Sequence, residues 1–188
     1  FAAPIDTDID DSVLFLWVKE LDIDRIVDTF GNLPGDLANI LYLLAVPVGA
    51  VDKYIQFFDR IDNSKFASTF LRMEKWSFDS PDMSGEVFRQ YIKEIFQKNL
   101  LIKNELEIDG KKVDLRNIAC PLLNVCGKRD HLVPSASPKP LSKAVSSKDV
   151  TTQELNTGHI GMFVGRNAQN VIVPEIADMV SGLCINTF

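Results

Sequence analysis

The spacing of apolar residues changes along the chain. Between about residues 11 and 99, apolar side chains recur at three- and four-residue intervals, which predicts a series of amphipathic helices. From residue 118 onward, short apolar runs alternate with helical segments in the order strand, helix, strand, helix. That order predicts an α/β fold for the later part of the chain.

Capping residues mark the first three predicted helices. Asp10 or Asp11 can cap the first helix, because a carboxylate there accepts an otherwise unpaired backbone N–H. The second helix is predicted over 23–30 and ends at Gly31, a residue type typical of a helix C-terminus. Pro34 opens the third helix, since proline suits the first helical position.

The same signals predict further helices before residue 99. The third helix breaks at Pro47, and another helix spans 51–59. Asn63 or Ser64 can cap the next helix, and Ser84 can cap the last one. The apolar face of the last helix is predicted to consist of Val87, Tyr91, Ile95 and Phe96. We expect two tryptophans to anchor the core of this helical segment, Trp17 and Trp76.

Turn signals and apolar runs predict the remaining elements. Residues 105–115 alternate around an Asp-Gly pair, a pattern typical of a β-hairpin. We predict strands over 122–126 and 150–155, a short helix over 141–145 and a closing helix over 174–183. The first residues, Phe-Ala-Ala-Pro-Ile, resemble the end of a core strand.

Composition and charge narrow the classes of function. The chain has 188 residues, 46% of them hydrophobic, which is enough for one sizeable core. Its net charge is −6 and its basic residues are scattered, so we expect no nucleic-acid partner. The longest apolar stretch, 37–51, contains Asn39, Pro47 and Gly49 and falls short of the roughly 20 residues that a bilayer requires. We therefore predict no membrane span.

The cysteines and the N-terminal carboxylates have structural interpretations. Three cysteines at irregular spacing and two histidines distant from them predict neither a disulfide framework nor a metal site, and are typical of reduced cytoplasmic thiols. We expect all three to be buried as small apolar side chains, Cys120, Cys126 and Cys184. A solvated surface and helix start, not a metal site, is the interpretation for Asp6, Asp8, Asp10 and Asp11.

Two short segments carry the candidate chemistry. GKRDHLVP at 127–134 follows the first predicted strand, and TGHIG at 157–161 follows the second. An acid and then a histidine, each after its own strand, form the second half of the nucleophile, acid, histidine order of α/β-hydrolases. Asp130 and His159 are therefore the candidate catalytic residues. His131 is interpreted as structural, because neighbouring side chains in an extended loop point apart.

The first half of that order, the nucleophile elbow, has no counterpart in the sequence. The elbow requires Gly-x-Ser-x-Gly or its cysteine variant. Residues 31–35 have the glycine spacing but leucine at the centre, and Cys126 has Asn124 where a glycine is required. Together with the apolar start of the sequence, this gap predicts the C-terminal portion of a longer enzyme whose nucleophile lies upstream. We expect the portion alone to be inactive.

Five segments are similar to the polyhydroxyalkanoate synthases, in particular to their class III catalytic subunit. They are VDTFGNLPG at 27–35, FLRMEKWSFDSPD at 70–82, VDL at 113–115 and the two loops at 127–134 and 157–161. The first two segments lie in the helical part of the chain. They make the resemblance specific, because the two loops alone would fit many α/β-hydrolases.

The resemblance implies an acyltransferase that polymerises (R)-3-hydroxyacyl-coenzyme A into polyhydroxyalkanoate at cytoplasmic polyester granules and releases coenzyme A. It implies the C-terminal part of an α/β-hydrolase fold with a large helical cap insertion. Residues 1–10 would be the end of a core strand and the entry to the cap, 11–104 the cap, and 105–188 the part of the core with the catalytic Asp and His. It also implies a small second synthase subunit, a homodimer and no cofactor, because the coenzyme A thioester is the substrate.

The resemblance also assigns residue roles. By position, Asp130 corresponds to the family's catalytic aspartate and His159 to its catalytic histidine. His159 would accept the proton of an upstream cysteine and later deprotonate the 3-hydroxyl of the incoming monomer. Asp130 would either orient the imidazole or act on the substrate hydroxyl. The alternatives to a synthase are a serine-dependent esterase or polyester depolymerase, and a non-catalytic granule-associated or assembly module.

Overall fold

The chain divides into two units. The structure is a computed structural model that describes residues 1–45, 47–164 and 168–185. One unit, here called the core unit, comprises Phe1–Lys19 and Glu94–Phe188, and the other, the helical unit, comprises Glu20–Lys93. The division of the sequence into an entry segment, a cap over 11–104 and a core portion stays a prediction.

Helices dominate the chain before residue 99, as the apolar spacing predicts. Gly31 ends the second helix with a φ of 72°, and its N–H donates to the Val27 carbonyl oxygen. Asn63 caps the fifth helix, because its side-chain oxygen accepts the Phe66 N–H at 3.0 Å. The helices are α1 (Val13–Glu20), α2 (Ile23–Phe30), α3 (Gly35–Ala45), α4 (Pro47–Asp59), α5 (Ser64–Phe78), α6 (Gly85–Gln90) and a π-helix (Tyr91–Gln97).

The predicted cap of the first helix is wrong. Helix α1 begins one residue later than expected, so Ser12 and not Asp10 or Asp11 precedes it. The Ser12 carbonyl oxygen accepts the Leu16 N–H at 3.0 Å, and Ser12 Oγ accepts the Phe15 N–H at 3.4 Å. Only the residue directly before a helix can reach the N–H three positions ahead, which excludes the two aspartates.

The two segments that make the family resemblance specific meet in the helical unit. Leu33 and Met83 exchange backbone hydrogen bonds of 2.9 Å in both directions. On either side of this bridge a polar side chain binds the first amide of a helix: Asp82 Oδ1 accepts the Gly35 N–H at 3.0 Å, and Asn32 Oδ1 accepts the Gly85 N–H at 3.2 Å. Ser84, the predicted cap of α6, makes no side-chain capping bond.

The predicted apolar face of the last helix before residue 99 is right at Phe96 and wrong at Val87 and Tyr91. The buried side chains are Phe88, Ile92 and Phe96, whereas Val87 and Tyr91 are exposed. Both stripes repeat every four residues and both are apolar, so their spacing does not distinguish them. Packing against other elements determines which of these side chains are buried, and Phe96 meets the Phe15 ring edge-on at 5.0 Å between centroids.

Neither tryptophan anchors a core. Trp17 is 39% exposed and Trp76 is 61% exposed. Helix α5, which contains Trp76, has no buried residue. The expectation failed because periodicity identifies the apolar side of a helix but not whether another element covers it. Among the described residues, no helix combines the length and the apolar composition needed to cross a membrane.

The second part of the chain is α/β, as predicted. The hairpin pairs β1 (Glu107–Ile108) with β2 (Lys111–Lys112) through a turn in which Asp109 and Gly110 both have positive φ. Strands β3 (Leu122–Gly127) and β4 (Val150–Leu155) pair in parallel, with Leu122 opposite Val150 and Gly127 opposite Leu155. The helices are a 3-10 turn (Leu115–Asn117), α7 (Leu141–Ala144), α8 (Gly161–Val164), a π-helix (Ala168–Ile172) and α9 (Val173–Ile185).

The first residues run beside β3 without forming a strand of their own. The Ala2 N–H donates to the Val125 carbonyl oxygen at 2.8 Å, and Ala2 and Ile5 are buried. Further along, Thr7 is fully buried, and its N–H donates to Asn99 Oδ1 at 3.0 Å. Asn99 has a φ of 54°, which asparagine tolerates better than most residues. These bonds join residues that are far apart in the sequence.

The cysteines differ from one another in exposure. Cys126 is fully buried in β3, as predicted, but Cys120 is exposed, so that prediction is wrong. Cys120 precedes Pro121 and the start of β3, where no element covers it among the described residues. The side chain of Cys184 lies outside the described residues. The N-terminal carboxylates are partly or fully exposed, and Asp8 and Asp10 lie 3.2 and 3.5 Å from Lys19 Nζ.

The contact between α6 and the end of α2 gives a test of the helical unit. A Cβ atom added at Gly85 would overlap the Gly31 carbonyl oxygen and lie 2.8 Å from Val27 Cγ1. Because backbone cannot yield locally, we expect Gly85→Ala to lower the free energy of unfolding by roughly 1–3 kcal/mol. Denaturant unfolding followed by circular dichroism measures this change.

The matched control is Gly182→Ala. Nothing lies within 4 Å of a Cβ added at Gly182, which is in the interior of α9. Alanine is the better helix former there by up to about 1 kcal/mol, so this variant should be as stable as the parent or more stable. Equal stability of the Gly85→Ala variant and the parent would contradict the packing described for α6.

Candidate active site

The parallel pairing of β3 and β4 places the two predicted catalytic loops side by side. Because Gly127 and Leu155 are opposite each other in the register, both strands end at the same edge. Two backbone bonds then join the loops: the Lys128 N–H donates to the Leu155 carbonyl oxygen at 2.8 Å, and the Arg129 N–H donates to that of Thr157 at 3.1 Å. The loops therefore form one connected surface.

Glycines allow this close approach. A Cβ atom added at Gly127 would lie 2.6 Å from the Thr157 carbonyl oxygen, and one at Gly158 would lie 3.3 Å from that of Arg129. A Cβ at Gly161 would overlap the Thr157 hydroxyl. A side chain at Gly127 would therefore push the loops apart, and one at Gly161 would displace the Thr157 hydroxyl. One at Gly158 would need the Arg129 carbonyl to shift by only a few tenths of an ångström.

Asp130 presents a buried and fully engaged carboxylate. The residue is 5% exposed. Its Oδ1 accepts the backbone N–H groups of Leu132 and Val133, each at 2.9 Å. Its Oδ2 lies 2.7 Å from His159 Nδ1. Two backbone donors therefore fix one oxygen of the carboxylate and orient the other toward the imidazole ring.

The contact with Asp130 determines how His159 can be protonated. A carboxylate accepts hydrogen bonds, so Nδ1 carries the proton in the Asp130 contact and Nε2 is the nitrogen that can take up a further proton. The His159 side chain is 27% exposed, so it remains partly open to solvent. Phe163 packs beside the ring at 6.0 Å between centroids. The pair thus has the geometry of a general base oriented by an acid.

Ser12 is a residue of the site that the sequence analysis missed. It is 2% exposed, and its Oγ donates to the His131 carbonyl oxygen at 3.1 Å, within the loop that carries Asp130. His131 itself is exposed, in keeping with its interpretation as a residue apart from the Asp130 chemistry. The local sequence around Ser12 is typical of a helix start, but it does not indicate the contact with the loop of Asp130, which lies 119 residues further along the chain.

Cys126 lacks the properties of a nucleophile. Its Sγ lies 3.5 Å from the Gln153 carbonyl oxygen inside the sheet. Burial raises the pKa of the Cys126 thiol, and the negative charge of Glu154 raises it further. Reactive cysteines have lowered pKa values and accessible sulfur atoms, and Cys126 has neither.

The described residues also contain no cluster that is suited to a metal ion. No group of three or more His, Cys, Asp or Glu side chains with such an arrangement occurs in 1–45, 47–164 and 168–185. The polar groups around Asp130 and His159 are a carboxylate, an imidazole and backbone amides. In chemical terms the site can orient a base and transfer a proton.

The chain is similar to curated proteins named Poly(3-hydroxyalkanoate) polymerase subunit PhaC. That of Allochromatium vinosum is 42% identical over 174 residues, which cover 92% of this chain and 49% of the relative. That of Haloarcula marismortui is 43% identical over 157 residues, or 83% of this chain and 33% of the relative. That of Synechocystis sp. is 41% identical over 168 residues, which cover 88% of this chain and 44% of the relative. The chain therefore spans about half the length of these relatives or less.

These similarities confirm the resemblance to polyhydroxyalkanoate synthases that the sequence motifs indicate. A family model agrees with them. The model described as PHB de-polymerase C-terminus matches residues 52–183, a range that includes both loops of the site. Because this match covers more than half of the chain, the chain belongs to the PHB de-polymerase C-terminus family.

Proposed function

We propose that this chain is the C-terminal part of an acyltransferase that polymerises (R)-3-hydroxyacyl-coenzyme A into polyhydroxyalkanoate and releases coenzyme A. The observation that carries the proposal is the 2.7 Å contact between Asp130 Oδ2 and His159 Nδ1 at the ends of two parallel strands. The chain's 42% identity to a polymerase subunit supports this substrate class. In this proposal the fold is the C-terminal part of an α/β-hydrolase, and residues 11–104 are its helical cap.

The nucleophile in this proposal is a cysteine upstream of Phe1. His159 takes the cysteine proton at Nε2, and the thiolate attacks the thioester carbonyl of the substrate. The bond from that carbonyl to the coenzyme A sulfur breaks as the bond to the cysteine sulfur forms, and coenzyme A leaves. Exchange of one thioester for another is nearly balanced, so the acyl group is held without being trapped.

Chain growth then transfers the acyl group from sulfur to oxygen. His159 removes the proton of a 3-hydroxyl group, and the oxygen attacks the acyl-cysteine carbonyl. An ester bond forms, the bond to sulfur breaks, and the proton returns to the cysteine. The same imidazole serves both half-reactions, because each begins with removal of a proton near neutral pH. No cofactor is required.

The surroundings of Asp130 support an orienting role rather than direct action on the substrate hydroxyl. Its side chain is fully buried, and both of its oxygens already have partners. A group that deprotonates the substrate must come within hydrogen-bond reach of the hydroxyl. His159 is 27% exposed and has Nε2 available for this task. Asp130 then holds the imidazole in place and stabilises its protonated form.

We extend the proposal to partners on the basis of the family resemblance. The substrates are (R)-3-hydroxyacyl-coenzyme A and the growing polyester. The whole enzyme would act as a homodimer with a small second subunit at polyester granules in the cytoplasm.

A second candidate is a serine-dependent polyester depolymerase, which the description of the matching family favours. Both candidates use the same acid and base, so Asp130 and His159 do not separate them. The upstream elbow does: Gly-x-Cys-x-Gly favours the polymerase and Gly-x-Ser-x-Gly the depolymerase. An activity assay makes the same distinction. A polymerase releases coenzyme A from hydroxyacyl-coenzyme A, whereas a depolymerase releases hydroxy acid from the polymer.

Substitution of the acid and of the base tests the proposed mechanism. In the reading frame extended upstream of Phe1, we expect His159→Ala to reduce coenzyme A release from 3-hydroxybutyryl-coenzyme A by about 10²–10⁴-fold, because general base catalysis is lost. Asp130→Asn should reduce kcat in the same direction, since an amide cannot stabilise the imidazolium. Steady-state release of free thiol measures both effects.

His131→Ala is the matched control for these variants. It removes an exposed imidazole from the same loop and should leave the rate within about twofold of the parent, because this side chain takes no part in the contact between Asp130 and His159 and exposed side chains contribute little. Unchanged coenzyme A release in His159→Ala would contradict the proposed mechanism. A loss of rate in His131→Ala equal to that in His159→Ala would contradict the choice of histidine.

A further prediction concerns the thiols of this chain. In the folded chain, iodoacetamide should modify Cys120 much faster than Cys126, because Cys120 is exposed while Cys126 is buried with a raised pKa. Peptide mass spectrometry gives the extent of modification at each cysteine. After unfolding in guanidinium chloride the two rates should become similar. Rapid modification of Cys126 in the folded chain would reopen the possibility that this residue is the nucleophile.

A further inference from the structure

We propose that Ser12 is a positioning residue that holds the catalytic geometry of Asp130. The catalytic consequence rests on the proposed function, whereas the geometric effect does not. Ser12 and Asp130 both belong to the core unit, and Ser12 Oγ lies 3.1 Å from the His131 carbonyl oxygen and 3.4 Å from that of Leu132. Those two carbonyl groups connect Ser12 to the catalytic carboxylate.

The connection runs through two peptide groups. The carbonyl oxygen of His131 and the N–H of Leu132 belong to one planar peptide, and the carbonyl oxygen of Leu132 and the N–H of Val133 belong to the next. The N–H ends of both peptides donate to Asp130 Oδ1 at 2.9 Å. The carbonyl ends of the same peptides face the Ser12 hydroxyl. Because a peptide is rigid, a bond at its oxygen also restricts the direction of its N–H.

Ser12 is itself firmly held. It is 2% exposed, and as the cap of α1 it accepts the Phe15 N–H at its Oγ. A hydroxyl has one proton and two acceptor lone pairs, so capping the helix and donating to the loop are compatible. Consecutive hydrogen bonds polarise one another, so the bond from Ser12 strengthens the hydrogen bonds that the Leu132 and Val133 amides donate to the carboxylate.

Without the Ser12 hydroxyl, the two peptides lose a constraint that aims their N–H groups at Oδ1. The Asp130 carboxylate can then rotate, and the contact from Oδ2 to His159 Nδ1 is no longer imposed. We expect the neutral imidazole to lose its preference for a proton on Nδ1, since the partner of that nitrogen sets the tautomer.

Three substitutions separate donation from capping. Ser12→Ala removes both, whereas Ser12→Gly removes the hydroxyl but keeps most of the capping preference, because glycine is nearly as good a cap. Ser12→Thr retains the hydroxyl and should restore the parent behaviour. The matched control is Asp22→Ala, which removes a cap of α2 that accepts the Arg25 N–H at 3.1 Å in the helical unit.

The experiment is nitrogen-15 NMR of the His159 ring in the present chain, at a pH where the imidazole is neutral. In the parent, Ser12→Thr and Asp22→Ala proteins, Nδ1 should carry the proton. In the Ser12→Gly and Ser12→Ala proteins the Nδ1 preference should be lost. A thermal unfolding curve for each protein establishes that it is folded.

Retention of the parent tautomer in folded Ser12→Gly protein would overturn the inference. Loss of the tautomer in Asp22→Ala as well would also overturn it, because the effect would then follow from a weakened cap anywhere in the chain. In the upstream-extended enzyme, Ser12→Gly should lower kcat roughly 10- to 100-fold with little change in KM, as expected for misplaced catalytic groups.

The proposed function can fail separately from this inference. If His159→Ala releases coenzyme A at the parent rate while Ser12→Gly still changes the tautomer, the polymerase mechanism is wrong and the positioning role of Ser12 stands. If the tautomer is unaffected in Ser12→Gly while His159→Ala is inactive, the positioning role is wrong and the mechanism stands.

Discussion

A carboxylate that is removed from water must have hydrogen-bond donors, and much of the site follows from this requirement at Asp130. An ionised group in a buried position is stable only when its lone pairs are engaged. Two backbone amides and the His159 ring supply the donors. The backbone amides are available because the loop after β3 turns back on itself, and the ring is within reach because β4 ends beside it.

Strands β3 and β4 and the glycines at or just after their ends bring His159 within reach of the Asp130 carboxylate. Parallel strands in register bring the two loops to one edge, and glycine at 127 and 158 lets their backbones approach. The resulting pair provides an acid and a base, while the chain spans 49% of the Allochromatium vinosum relative. The orientation of the His159 imidazole depends only on these local contacts.

Local signals in the sequence predicted the elements that depend on local chemistry. The strands β3 and β4, the Asp-Gly hairpin, the Gly31 terminus and the loops of Asp130 and His159 are examples, because each is encoded within a few residues. Ser12 and Thr7 were missed for the opposite reason. Their partners lie 119 and 92 residues away, and nothing in their own neighbourhood indicates those contacts.

Burial was predicted less well than secondary structure. Trp17, Trp76 and Cys120 are exposed although their residue types favour burial. Residue type and spacing indicate which side chains would be stabilised by burial. Whether a side chain is buried depends on whether another element of the fold packs against it. The error at Val87 and Phe88 has the same cause. Both residues are apolar, and only packing against other elements determines that Phe88 is the buried one.

The separation in sequence between Ser12 and its partner also bears on the order of folding. A contact across 119 residues closes a long loop, so its entropic cost must be met by many other contacts before it forms. During synthesis the first residues leave the ribosome long before the segment they bind. The contact between Ser12 and the loop after β3 is accordingly expected to form late, whereas the contact between Asp130 and His159 spans only 29 residues and can form earlier.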